Sequence, residues 1–571
     1  MPRPPNRVTR EIMSAIAPAD RLRLALHQAG RLGRRLRLGA ITLPFGRFSA
    51  ARSGRSQLLI APPDLRTADP TVAVEIYGGR FAFAGNVVET HGQSPFDLGP
   101  PSEDWLRELH SFGWLRHLRA ADTPLARSNA RAIAEDWLAM HRRPGGDIIW
   151  DAEVTARRAM SFLAQSPLIL HDADHDLYRR FVRSLLRHAH VLRSGRGASD
   201  PGLPRIQAAI AVALIGLSLS QQDRLARAGL DRLDAELLAQ ILPDGGHISR
   251  NPAALVEALV DLLPLRQALI ARGMAPSGTL MNAIDRMMPM VRFFRHGDGA
   301  FAHFNGVASS AGGLVATLIS YDETLGSPAS SATYSGYERI QAGASLLLLD
   351  AGGPPPIAHS AEAHAGTLAF EFSNATQRIV INCGAPASRH HHLRRAARRT
   401  AAHSTAVLNE ESSSRFSGPS ADAQIVSGPR TVTAKRSAAA DGSTIVKMSH
   451  DGYARRLGPV HERSLRLAAA GNLLEGMDHF SGAPLAAGLA FAVRFHLHHA
   501  VAVHATGRRN ALDLRVPDES IWRFEANCPV DLEESVHLSD VFGSRPTHQL
   551  VLRSDVEAEN PVKWRLSLLP S

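Results

Sequence analysis

From about residue 101 to residue 320, apolar side chains recur at helical spacing. Trp105, Leu106, Leu109 and Phe112 fall on one face, as do Ile133, Trp137, Leu138 and Met140. The same period returns in 154–163, 177–192, 203–219, 225–242, 252–271 and 280–294. Six or more amphipathic helices joined by short loops predict stacked helical hairpins, without a fixed-period repeat. Beyond about residue 325 the period becomes two. Residues 337–340, 345–350, 366–372, 378–382, 404–408, 464–467, 489–498, 511–516 and 551–553 read as strands, with turns at Asp441-Gly442, Ala470-Gly471 and Thr506-Gly507. Many short strands with regular turns predict an antiparallel sandwich. Ahead of the helices, 71–77 and 80–88 look like short β pieces. The expected architecture is an α + β multidomain chain. It has a basic arm over 1–60, an all-α domain of stacked hairpins over 61–322 and an antiparallel β-sandwich over 323–571.

Composition narrows this picture. The chain has 571 residues, too many for one hydrophobic core. Net charge is +10, carried almost wholly by arginine, since lysine occurs only at Lys435, Lys447 and Lys563. Guanidinium groups bind carboxylates and sulfates in bidentate fashion, so an anionic partner is expected. Aromatic residues make up 6% and the β half lacks base-stacking motifs, so no nucleic-acid partner is expected. No apolar run is long enough for a transmembrane segment, and the basic N-terminus lacks the compact apolar stretch of a signal peptide. Cys383 and Cys528 read as two isolated thiols, with one disulfide as the alternative.

The chemistry concentrates between His359 and Thr405. His364 and His403 bracket two β-like runs and a loop rich in His and Arg. Histidines on neighbouring strands can hold a metal or move protons. The run from Arg389 through Arg394 and Arg395 to Arg398 and Arg399 suits an acidic polymer, or forms a solvated loop. In the helical half, His247 follows Gly245 and Gly246, glycines that would allow a ligand to come close. Arg250 nearby could clamp a carboxylate. His496 and His498 lie two apart, on one side of a strand, as a polar sheet face or as metal ligands.

Several stretches together carry a family resemblance: GDIIWDAEVTARRAMSFL (146–163), LPDGGHISRNP (242–252), AHAGTLAFEFS (363–373), RRTAAHST (398–405) and RFHLHH (494–499). In this order, helical half before strand half, the chain resembles the heparinase II/III-like polysaccharide lyases. The resemblance implies an (α/α) toroid followed by a β-sandwich. It also implies β-elimination on a uronic-acid-containing acidic polysaccharide, or glycan binding or envelope assembly on the same scaffold. By the same resemblance His403, His247 and Glu362 are the implied catalytic residues. Arg250, Asn251, Arg394, Arg398 and Arg399 would bind substrate. A structural zinc or similar divalent ion would be held by His364, Asn382 and His403, and the protein would work in the periplasm or cell envelope. The chain departs from the family pattern at several positions. Glu362 and Asn382 stand where the family has His and Asp, Ala254 where it has Tyr, and Leu203-Pro204 where it has Asn-His. A neutral amide is a weak zinc ligand because it brings no charge. Tyr321, Tyr334 and Tyr337 are the substitutes for the missing acid.

Overall fold

The computed structural model describes residues 56–570, apart from 146–147, 195–200, 309–311, 322–326, 387–390, 486, 540–542 and 557–560, together with parts of 22–29. Most of the basic arm, the 322/323 boundary, and Arg389 and His390 therefore lie outside the described residues.

The helical half begins earlier than the periodicity predicts. Residues 71–77 alternate like a strand, yet Pro70–Tyr77 is a helix. Pro70 opens it with its φ already set, and the Asp69 carboxylate accepts the Thr71 N–H as N-cap. The local end signal overrides the β-branched content. A hairpin of Arg80–Phe83 and Asn86–Glu89 follows. The predicted helices are then present, three of them with side-chain N-caps. Glu103–Ser111 starts at Ser102, Pro124–Met140 at Thr123 and His175–Arg193 at Asp174, each cap oxygen taking a backbone N–H of the first turn. Leu203–Ser218, apolar nearly all round, is buried on all sides.

Two charged networks sit inside the helices. Asp261 accepts both Arg157 amino groups at 2.9 Å and Arg66 at 2.8 Å, and these guanidiniums hold it ionised against its burial. Arg158 is fully buried. Its guanidinium lies 4.3 Å from the Trp137 ring centre and donates to His188 and to the carbonyls of His110 and Ile149. Residues 148–163, which carry part of the resemblance, are thus scaffold.

Among the described residues the strand half is a small pair of Arg415–Phe416 with Ile425–Ser427 and two large antiparallel sheets. One runs, in spatial order, Asp531–His537, Arg545–Asp555, Ala490–Leu497, Gln377–Ile381, Phe370–Asn374, Ser345–Asp350, Tyr337–Ala342 and Ser331–Ala332, with Ala406–Leu408 also paired to Ala490–Leu497. The other runs Val432–Ala438, Thr444–His450, Val460–Leu467, Leu473–Ser481, Val562–Leu568, Ile521–Ala526, Ala511–Arg515 and Ala502–Ala505. Their core includes Leu347, Phe370, Phe372, Leu465, Phe495, Trp522 and Trp564. Phe370 stacks on Trp564 at 5.5 Å. Through this core passes the ion pair Arg463–Asp478, both side chains fully buried. Arg463 also donates to the carbonyls of Leu368 and Ser404, and Asp478 accepts from His461 and Trp564. Every donor finds an acceptor, the condition under which a buried charge is tolerated.

The compact units are not divided by a single cut. Leu242–Leu255 and Arg286–Ser571, with Met1–His27, form one; Gln28–Ile241 and Val256–Asp285 form the other. The DGGH loop therefore belongs with the sandwich. No helix among the described residues is long and apolar enough to cross a membrane.

Candidate functional site

The site grows from the loop 242–255. Gly245 adopts φ +87°, and a Cβ there would lie 1.9 Å from the Arg286 carbonyl oxygen; one at Gly246 would lie 2.5 Å from Ser335. These glycines let the protein's own chain come close, which corrects their reading as room for a ligand. Asp244 pins the loop by accepting the N–H groups of Gly246 and Ser335. Arg250 then turns inward. It donates to the carbonyls of Ser335, Gly353 and Gly336, and to Asp350 at 2.5 Å. Four of its five N–H groups are engaged.

Asp350 leads to Asn305, whose amide donates to Asp350 Oδ2 at 3.1 Å and to the Tyr337 oxygen at 2.7 Å, while its carbonyl accepts the His364 N–H. The Tyr337 hydroxyl donates to the Arg250 carbonyl. The His364 and His403 rings meet here, Nδ1 to Nε2, at 3.0 Å. His403 Nδ1 lies 2.8 Å from the Arg399 carbonyl, which can only accept, so that nitrogen carries the proton. His403 Nε2 is then the acceptor and His364 the donor. Burial lowers the His403 pKa to about 4. Gly366 makes room: a Cβ there would come within 2.8 Å of His403 Cδ2.

Behind the pair, Asn382 accepts the Ser404 N–H and donates to Glu371. Glu371 also takes the N–H groups of His303 and Asn382 and pairs with His296 at 3.0 Å. Burial pushes this carboxyl up, but His303, His296 and the amide donors outweigh it and hold it at about 2.

Residues 324–565 match the family described as heparinase II/III-like, C-terminal. FtsZ-localized protein C of Caulobacter vibrioides is 32% identical over 531 residues, covering 89% of each chain. The chain belongs to the heparinase II/III-like family. Among solved structures, heparinase III superposes with a TM-score of 0.67 at 14% identity, over 85% of this chain and 79% of that one. A mutant of the heparan sulfate lyase HepC from Pedobacter heparinus gives 0.61 at 14%, over 99% and 92%. At such identity the superpositions establish a shared fold: a helical N-terminal region followed by antiparallel sheets.

Within this heparinase II/III-like frame the implied residues take particular places. His364 and His403 do meet, and Asn382 holds the Ser404 backbone next to His403, but this donor set does not fit an ion. Both ends of the Asn382 amide are hydrogen-bonded, and the His403 lone pair is taken by His364. Arg250 is a buried strut, as is Arg398, which donates to the carbonyls of Ala363, Ala421 and Ser360 and lies over Phe416. Neither presents a fork to solvent, so both are corrected from substrate clamps to internal ties. Asn251 caps the helix that follows it by accepting the Ala253 N–H, and donates to Glu362 at 2.9 Å. Glu362 is itself exposed. His247 accepts from the Ser249 N–H and hydroxyl, and burial lowers its pKa to about 3. Tyr337 is buried, and burial raises its phenol above the ordinary value, which disqualifies it as a ready acid. Tyr334 is exposed.

The described part of the Arg/His run is not all loop. His391–Ala397 is a helix. From this helix Arg395 lines a cavity of about 340 Å³, together with Arg399, Arg415, Arg456, Glu411 and Phe416. Glu411 accepts from Arg456 and Arg415. Arg395 and Arg399 make no ion pair among the described residues, and Arg394 reaches only Asp422, at 3.9 Å.

Sequence reasoning missed Asn305, Asp350, Glu371, His296 and His303. Glu371 did leave a signal, as a lone carboxylate between Phe370 and Phe372, whose side chains fill the sandwich core. Cys383 and Cys528 are free thiols, in line with the first of the two readings.

Proposed function

We propose that the protein uses its lyase-like scaffold to bind an acidic, uronic-acid-containing glycan without cleaving it, as part of envelope assembly. The observation that carries this reading is the saturation of the site. The groups best suited to neutralise a carboxylate or to move protons, Arg250, Arg398, Asn382, Tyr337 and the His364–His403 pair, are already bonded to one another or to the backbone. β-Elimination needs a cation at the carboxylate, a base with an open lone pair and an acid for the leaving oxygen. What stays open is the pocket of Arg395 and Arg399, which suits anionic groups. The name of the relative, FtsZ-localized protein C, supports a role at the site of FtsZ assembly.

A second reading is a lyase with His403, His247 and Glu362 as its working groups. Exposed Glu362, beside the buried network, favours it as an available base. One experiment separates the two. The full chain is incubated with a panel of uronic-acid polymers while ultraviolet absorbance of unsaturated uronate is followed. Binding is measured in parallel at low and high salt. Salt-sensitive binding without absorbance growth is expected, whereas growth that His403→Ala abolishes overturns the non-catalytic reading. A fluorescent fusion expressed in Caulobacter vibrioides is expected to collect with FtsZ; uniform distribution removes that part.

A further inference from the structure

We propose that His498, His499 and His537 form a binding site for a borderline divalent ion such as zinc, apart from the His364–His403 pair. His498 and His499 follow the strand Ala490–Leu497, and His537 ends the strand Asp531–His537. Between them runs Arg545–Asp555, antiparallel to both, so the three rings gather at one end of the sheet. One ring nitrogen from each lies within 4.8 Å of the others, and His499 Nδ1 is 3.0 Å from His537 Nδ1. Nitrogens bound to tetrahedral zinc at about 2.0–2.1 Å stand roughly 3.3 Å apart, so small ring rotations close the set.

Among the described residues two ring nitrogens of the trio lack a hydrogen-bond partner. His498 Nε2 is buried without a hydrogen bond among the described residues, while Nδ1 faces the exposed Ala500 N–H at 3.3 Å; when Nε2 takes an ion the ring proton sits on Nδ1 and the Ala500 N–H turns to water. His537 Nε2 is buried and unpartnered in the same way, on a side chain with no exposed surface. A buried ring nitrogen without a partner has lost its hydration and gained nothing in return, and an ion removes that penalty.

The surroundings tell what the ion would carry. Arg378 faces the cluster with its charge, but it pairs with Asp298 at 2.9 Å. Three neutral imidazoles leave the ion its full charge, and His498 and His499 are partly exposed. The remaining position is then open to water or to an anionic oxygen, the pattern of a three-histidine site with an exchangeable ligand.

The test uses the full chain, stripped with a chelator and titrated with zinc by calorimetry and with cobalt by visible absorption. One ion per chain is expected. His499→Ala, a partly exposed position, is expected to keep the fold by circular dichroism and to weaken uptake at least tenfold. His498→Gln should do the same, and His364→Ala should leave uptake unchanged. No uptake by the parent protein, uptake unaffected by His499→Ala, or uptake lost in folded His364→Ala would each overturn the proposal.

Discussion

Two pairs of imidazoles in the sandwich stand 3.0 Å apart, nitrogen to nitrogen, yet they are chemically opposite. In the His364–His403 pair the proton positions are fixed from outside, by the Arg399 carbonyl, and the neighbouring Asn382 is bonded at both ends. In the His499–His537 pair the neighbour is His498, and two buried ring nitrogens have no hydrogen bond among the described residues. The first arrangement holds itself together; the second lacks something. Proximity of histidines therefore says little about a site until the remaining donors and acceptors have been followed outward.

The contrast is most easily broken at its supports. Asp350→Ala leaves the Arg250 guanidinium buried beside carbonyls but without its counter-charge, and should cost about 3–5 kcal/mol in denaturant unfolding. Loss below 1 kcal/mol would mean that the network around His364 is not tied through Asp350.

Zinc comes next. At a hundredfold excess over its dissociation constant, an ion held by the folded state alone adds about 2.7 kcal/mol. Thermal melting with and without zinc should show that gain for the parent protein and for His403→Ala, and lose it in His499→Ala.

A third probe is acid. His303 and His403 are buried, with pKa lowered to about 4, and burial lowers His496 to about 3. The unfolded chain takes up these protons near pH 6.5, whereas the folded chain does not. Stability is therefore full above 6.5 and falls as pH drops below it, by up to about 1.4 kcal/mol per unit for each such histidine. Unfolding free energies at neutral and mildly acidic pH would check the slope.

Gly366→Ala forces a Cβ against the His403 ring and should cost about 1–3 kcal/mol, with no effect on zinc uptake. The mildest change is Arg399→Ala. It should shift stability by less than about 0.5 kcal/mol, while weakening salt-sensitive glycan binding.

Much of the fold was legible in the sequence because burial imposes a period. The long helices from Pro124 to Phe293 each bury one stripe or, in Leu203–Ser218, the whole surface. Strands with one wet face were harder. Val432–Ala438 reads VTAKRSA and buries no side chain fully, since it is a sheet edge, where charge discourages further pairing. Val562–Leu568 alternates cleanly as VKWRLSL, but its apolar positions are outweighed by the stronger runs around it. The site was less legible for a different reason. Arg250 and Arg399 are the same residue type in similar company, and only the chain path decides which points inward. Likewise the RFHLHH stretch announces three histidines, yet nothing in the sequence says that His537 completes a different trio with the last two.

The interleaved units carry a practical consequence. A fragment cut where the family match begins, near residue 324, would contain Asp350, Gly336 and Gly353 but lack Arg250, which sits about a hundred positions upstream. It would also lose His296, His303 and Asn305, and with them two of the partners of Glu371 and the anchor of the His364 backbone. Such a fragment carries the family's signature and a carboxylate with no counter-ion. A fragment that keeps these partners has to begin ahead of Arg250, near Leu242.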